Sequence, residues 1–157
     1  MPRTCRLVLT GFAVFALAVL PAFAKPNFTG DWKLNTAKSD FGQFPAPSSM
    51  TQKATHDDPA LKVATKMATE NGDLEFESVY STDGKETTNT FGPGSMKSVA
   101  KWEGDTLTVQ TKGQFGDSEI TIQDKWEASA DGKTVTIHRH FASSQGESDQ
   151  KLVFDKQ

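Results

Sequence analysis

The sequence predicts an all-β protein, an antiparallel up-and-down barrel of eight to ten strands. Three observations lead there. Apolar and polar residues alternate in runs such as Leu74-Glu75-Phe76-Glu77-Ser78-Val79-Tyr80 and Ile120-Thr121-Ile122-Gln123-Asp124-Lys125-Trp126, the period of a half-buried strand. Turn dipeptides punctuate the runs at Asn71-Gly72, Asp83-Gly84, Gly104-Asp105, Asp131-Gly132 and Gln145-Gly146. When these dipeptides are taken as two-residue loops, the apolar set of one strand falls opposite the apolar set of the next, which a one-residue slip would destroy.

In chain order, Met1–Ala24 reads as a cleavable secretory signal. Arg3 and Arg6 precede the apolar run Leu7–Leu20, and Ala22-Phe23-Ala24 presents small residues at the −3 and −1 positions of a cleavage site before Lys25. The run is shorter than the roughly 20 apolar residues of a membrane span. Cleavage after Ala24 predicts a periplasmic or secreted mature chain, residues 25–157, as one domain with no membrane insertion. Loss of Arg3 and Arg6 leaves 15 of the 17 basic residues against 20 acidic ones, a net charge of −5 that argues against nucleic acid as a partner. Cys5 leaves with the signal, so the mature chain has neither disulfide nor thiol nucleophile.

Asn35–Ser49 is the one irregular stretch. Thr36–Phe41 has room for a turn of helix, but Pro45 and Pro47 forbid a long one, and the segment reads as a loop or lid crossing one end of the fold. From Asn71-Gly72, Val63 is expected opposite Tyr80 and Met67 opposite Phe76. From Asp83-Gly84, Ser78 is expected opposite Asn89 and Phe76 opposite Phe91. From Asp131-Gly132, Trp126 is expected opposite Ile137 and Asp124 opposite Arg139. From Gln145-Gly146, Ile137 is expected opposite Phe154 and Arg139 opposite Leu152. One apolar face then runs through the meander and includes Leu74, Phe76, Tyr80, Trp102, Leu107, Trp126, Ile137 and Phe154. A sheet with one such face buries it by closing on itself or by stacking, and the short consecutive hairpins favour the barrel over the alternative, a β-sandwich.

Phe28-Thr29-Gly30-Asp31-Trp32-Lys33-Leu34 resembles the G-x-W opening of the lipocalin and fatty-acid-binding-protein superfamily, in which the motif lies on the first strand and its Trp closes one end of the barrel. That resemblance implies a lipocalin-like fold, with Gly30 and Trp32 as its structural motif. The chain also resembles a group of uncharacterised exported bacterial proteins that open G-x-W-K-L-N and continue K-S-D-F-G with a Pro-rich loop, matched by Lys38–Gly42 and Pro45-Ala46-Pro47. It departs from the fatty-acid-binding branch at two points. The last strand, Lys151-Leu152-Val153-Phe154, lacks that branch's R-x-Y pair, and the Pro-rich loop stands where its helical lid follows the first strand.

Arg139 is the sole arginine of the mature chain and falls in phase with the inner face. A charge there needs a partner. Asp124 is one candidate; the Trp32 indole is a second, since family members pack a basic side chain across it; a ligand's carboxylate or phosphate is a third. Thr65, Ser78, Tyr80, Asn89, Ser98 and Gln150 also fall inward, the few polar groups expected of an apolar ligand cavity, although a filled barrel would bond them to one another. Catalytic signatures are missing: no G-x-S-x-G, no HExxH and no phosphate-cradling glycine loop. His138 and His140 share an outward face and lack a third ligand, so neither a metal nor a cofactor is expected. The leading expectation is a monomeric binder of a small apolar or amphipathic ligand, held by Arg139, Asp124, Tyr80, Asn89, Phe76, Trp102, Trp126, Ile137 and Phe154. The alternative is a non-enzymatic structural domain with a side-chain-filled barrel.

Overall fold

Ten antiparallel strands follow one another around a nearly closed barrel in a computed structural model that describes residues 25–92, 94–115 and 118–157. Residues 1–24, which the sequence reads as a cleavable signal, lie outside the described residues. The strands are β1 (Gly30–Leu34), β2 (Ser49–Asp57), β3 (Ala60–Thr69), β4 (Gly72–Ser81), β5 (Asp83–Phe91), β6 (Gly94–Glu103), β7 (Thr106–Phe115), β8 (Ser118–Ala128), β9 (Thr134–Ser143) and β10 (Gly146–Lys156). Their order is β4-β3-β2-β1-β10-β9-β8-β7-β6-β5, so consecutive strands neighbour each other and β1 pairs with β10. This is the lipocalin-like up-and-down barrel; the sandwich alternative has no crossover to support it.

Closure is incomplete at one seam. Among the described residues no backbone ladder joins β4 to β5, which are the two ends of the sheet. The Asn89 side chain spans the seam instead. Its Oδ1 accepts from the Val79 amide at 2.6 Å and its Nδ2 donates to the Val79 carbonyl at 3.1 Å. An amide side chain thus reproduces the paired bonds a strand neighbour would have made. Phe76 and Phe91 meet edge to face across the same seam, ring centroids 4.8 Å apart.

The registers divide into three groups. Across Asp131-Gly132 the pairs are Trp126–Ile137, Asp124–Arg139 and Ile122–Phe141, as the sequence predicts. Gly104-Asp105 likewise forms the loop between Glu103 and Thr106. At Asn71-Gly72 and Gln145-Gly146 the expected pairs are wrong by two residues. Val63 pairs with Ser78 and Met67 with Leu74; Ile137 pairs with Leu152 and Arg139 with Gln150. The loops are Glu70-Asn71 and Ser144-Gln145, and the glycines open the returning strands with φ of 115° and 137°. The positive φ is taken just after the turn rather than inside it. At Asp83-Gly84 there is no hairpin loop: Thr82 makes the corner, and the register on β6 shifts between Asp83 and Glu86 in a bulge.

Alternating hairpins give the barrel two distinct ends. At one, formed by the β2–β3, β4–β5, β6–β7 and β8–β9 turns, the segment 25–29 seals the opening. Phe28 is 1% exposed and stacks on Trp102 at 5.8 Å and His56 at 5.6 Å, with Trp126 edge-on at 5.6 Å. Its carbonyl accepts from Trp32 Nε1 at 2.8 Å. Gly30 leaves room beside that indole, since a Cβ there would stand 2.8 Å from Lys156 Cε. The Lys156 ammonium then lies 5.2 Å from the Trp32 ring centre. At the other end a 3₁₀ turn, Thr36–Lys38, starts the Asn35–Ser49 loop. The loop follows β10 through Asp40 and Lys151, which exchange two backbone bonds.

Candidate functional site

The inner face does not fill the barrel. A cavity of about 520 Å³ occupies the half toward the loop end, within the usual range for small-molecule sites. Its mouth is framed by Phe44, Pro45 and Pro47 from the loop, with Phe76, Phe91 and Phe141 from the strands. Phe44 packs edge-on against Phe141 at 5.2 Å, which ties the loop to the barrel rim. Strand alternation explains the lining: every second residue of β3, β4, β8 and β9 must face inward, and here those are chiefly apolar or small and polar.

At the cavity's depth lies an ion pair. Arg139 on β9 sits opposite Asp124 on β8 and donates Nε–H to Oδ1 and Nη2–H to Oδ2, both at 2.8 Å. The Asp124 side chain is 6% exposed, whereas 29% of the Arg139 side chain opens to the cavity. Burial opposes the guanidinium's charge, but the field of Asp124 and its two hydrogen bonds more than offset it, holding Arg139 firmly charged. Tyr80, which meets the Trp126 ring edge-on at 6.1 Å, also lines the cavity, and burial raises its phenol above the ordinary value. Most remaining polar groups bond one another. Ser98 and Thr111 hydroxyls lie 2.8 Å apart, Gln52 donates to Thr65 at 3.4 Å, and Gln150 donates to the Phe41 carbonyl at 3.2 Å.

Of the residues predicted for the site, Arg139, Asp124, Tyr80, Asn89, Phe76 and Trp126 line the cavity. Trp102, Ile137 and Phe154 do not. They belong to the packing of the sealed end, where Ile137 and Phe154 are 1% exposed and Trp102 stacks on Phe28. The inner face of a barrel has a height as well as a side, and alternation reports only the side. Asn89 faces the cavity but is committed to the seam. Trp32 carries Lys156 rather than Arg139. Trp126 Nε1 has no hydrogen-bond partner among the described residues and is itself sealed from solvent, so the ring offers the cavity an apolar surface. Leu74, expected on the inner face, is 42% exposed at the rim.

Sequence reasoning missed the plug and its polar supports. Phe28 N–H donates to His56 Nδ1 at 3.3 Å, and His56 is 6% exposed. Burial lowers the His56 pKa, with Asp58, 3.6 Å from Nε2, pulling the other way. Asp58 accepts from the Thr82 hydroxyl and, at 3.0 Å, from Trp102 Nε1, and these bonds hold its carboxyl down at about 2. A signal for the plug was present: Phe28, Gly30, Trp32 and Leu34 share one strand phase.

No protein-family profile and no curated protein matches the sequence. Solved structures do match the fold. The zebrafish ileal bile acid-binding protein complexed with cholic acid superposes with a TM-score of 0.56 at 15% identity, covering 83% of this chain and 98% of its own. A secretory abundant heat soluble protein of Ramazzottius varieornatus gives 0.57 at 10% identity, covering 87% and 99%. A mutant of the fluorescent protein UnaG gives 0.53 at 15% identity, covering 83% and 96%. At these identities the likeness is one of fold: a calycin-type, near-closed β-barrel.

Proposed function

We propose that the protein is an exported binder that holds one small apolar or amphipathic molecule inside the barrel. The observation carrying this reading is the cavity of about 520 Å³, mostly apolar, with a single ion pair in its wall. A protein selected only for stability gains from filling such a space, because interiors pack to crystal-like density and voids cost free energy. A cavity of this size, left by the side chains themselves, favours this reading over a side-chain-filled structural domain. Export rests on the Met1–Ala24 pattern, and the calycin-type neighbours support the use of such a barrel for a ligand.

The test is displacement of a neutral fluorescent dye, N-phenyl-1-naphthylamine, alongside native mass spectrometry of protein purified from an exporting host. The expected outcome is saturable dye binding at one site, weakened by Ile122→Trp, which puts a bulkier side chain into the cavity from β8. A chain beginning at Lys25 in the same spectra supports export. Absence of dye binding to folded protein, or binding untouched by Ile122→Trp, overturns the cavity reading.

A further inference from the structure

We infer that the cavity selects uncharged amphiphiles whose polar end is a neutral hydrogen-bond acceptor, such as an amide or ketone oxygen, over carboxylates of equal length. The inference rests on the reading of the cavity as a ligand site and adds the chemistry of the ligand's head. It starts from charge. Among the described residues that line the cavity, the charged ones are Asp124 and Arg139 at depth and Glu70 at the rim. The deep pair is locally neutral, and its negative member is not free to leave: both Asp124 oxygens are engaged by the one guanidinium. The usual recognition of a carboxylate by an arginine uses two parallel N–H bonds and an uncompensated positive charge. Here Asp124 already takes the Nε–Nη2 edge and compensates the charge; the end-on Nη1–Nη2 edge can still donate two bonds, but from a guanidinium whose charge is neutralised.

What remains is the outer edge of Arg139. Nη1 makes no hydrogen bond among the described residues, while 29% of the side chain opens to the cavity. That edge donates and cannot accept. A ligand carbonyl satisfies it without bringing charge. A ligand carboxylate placed there would face Asp124 across the guanidinium, leaving two anions and one cation in an enclosure whose described lining holds no second lysine or arginine. Glu70 at the mouth adds to the disfavour, and the Tyr80 phenol, pushed up by burial, contributes no positive charge. A neutral acceptor also leaves less solvation behind on entry.

The experiment uses a medium-chain fatty acid and the primary amide and methyl ketone of equal chain length, each displacing N-phenyl-1-naphthylamine from the mature protein above neutral pH. The amide and ketone are expected to displace the dye at concentrations about tenfold or more below the carboxylate. As pH falls through the fatty acid's own titration, its disadvantage should shrink, since the protonated acid is neutral. In Asp124→Asn, where Arg139 loses its counter-charge, the carboxylate should overtake the amide. Should that variant fail to fold, the pH series on unaltered protein decides. Equal or tighter binding of the carboxylate on unaltered protein overturns the inference and leaves the cavity reading intact. Dye that binds but yields to none of the three overturns it as well, whereas dye that never binds overturns the cavity reading itself.

Discussion

Replacing Phe28 by alanine tests whether the segment before β1 is a structural part of the barrel. The ring is 1% exposed and is held between Trp102, Trp126 and His56 at centroid distances of 5.6 to 5.8 Å. Its removal forfeits the transfer free energy of a buried aromatic side chain and leaves a void beneath two indoles that neighbouring strands hold in place. Phe→Ala changes of this kind cost about 3–5 kcal/mol. The upper half of that range applies here, because the lost ring contacts add about 0.5–1.5 kcal/mol each beyond area. A domain of this size has on the order of 5–15 kcal/mol in total. The variant should therefore fold, with a Tm lower by roughly 10–20 °C. Urea unfolding followed by tryptophan fluorescence measures the change directly. Phe44→Ala is the control: Phe44 is 41% exposed at the mouth, and its loss should cost about 1 kcal/mol or less. A Phe28→Ala loss below about 1 kcal/mol, or one no larger than that of Phe44→Ala, would refute the assignment of Phe28 as the plug.

Two further predictions concern polar groups that the packing depends on. Burial lowers His56 below its ordinary 6.5, so under pH 6.5 the unfolded chain takes up a proton that the folded protein refuses. Its contribution is whole above pH 6.5 and is lost as pH falls toward the folded value, by at most about 1.4 kcal/mol per pH unit. The difference in urea stability between the unaltered protein and His56→Asn should therefore vary with pH below 6.5, and a constant difference would sink the idea. His140, raised by its contact with Asp149, acts in the opposite sense and above 6.5, which keeps the two windows apart. Asn89→Ala should cost about 1 kcal/mol, the worth of the hydrogen bonds lost at an exposed seam. Hydrogen exchange at the Val79 amide should speed several-fold while β8 and β9 stay protected; unchanged exchange there would mean the seam does not depend on Asn89.

The sequence made the fold legible because strand faces are written in a period of two, and that same period hides the errors. At Asn71-Gly72 and Gln145-Gly146 the register moves by two residues, which leaves every apolar side chain on its proper face. Hydrophobic matching cannot detect such a slip; only the turn conformation can, and Gly72 and Gly146 take their positive φ after the loop. The Asp124–Arg139 pair was legible because its register depended on Asp131-Gly132, where both the phase and the offset held. The seam was not legible, since β4 and β5 alternate as well as any paired strands and a missing ladder leaves no mark in composition. Nor was the division of the inner face into a packed half and a half that lines the cavity. Trp102, Ile137 and Phe154 share a face with Tyr80 and Trp126, but lie in the packed core of the sealed end, where Phe28, brought in by the segment before β1, stacks on Trp102.

That division bears on how a ligand would enter. The Phe28 plug, the Asp58 bonds to Thr82 and Trp102, and much of the fully buried side-chain volume are gathered at the sealed end. The mouth has the exposed Leu74 and Phe44 and the seam bridged by Asn89, while the loop is tied to β10 by a series of backbone and side-chain bonds running from Asn35 to Gln43. Local opening is drawn from regions with few buried contacts, while the best-packed region sets the global stability. Entry through the mouth would then need Phe44 to leave Phe141 and the loop tip to release the Gln43 bonds to Ser148 and Glu147 and the Gln150–Phe41 bond, each a small fraction of the folding free energy. Entry past the sealed end would require extracting Phe28 from three aromatic neighbours. Asymmetric packing thus lets one barrel be stable at one end and accessible at the other, and it places the Arg139 edge at the depth an entering head group reaches last.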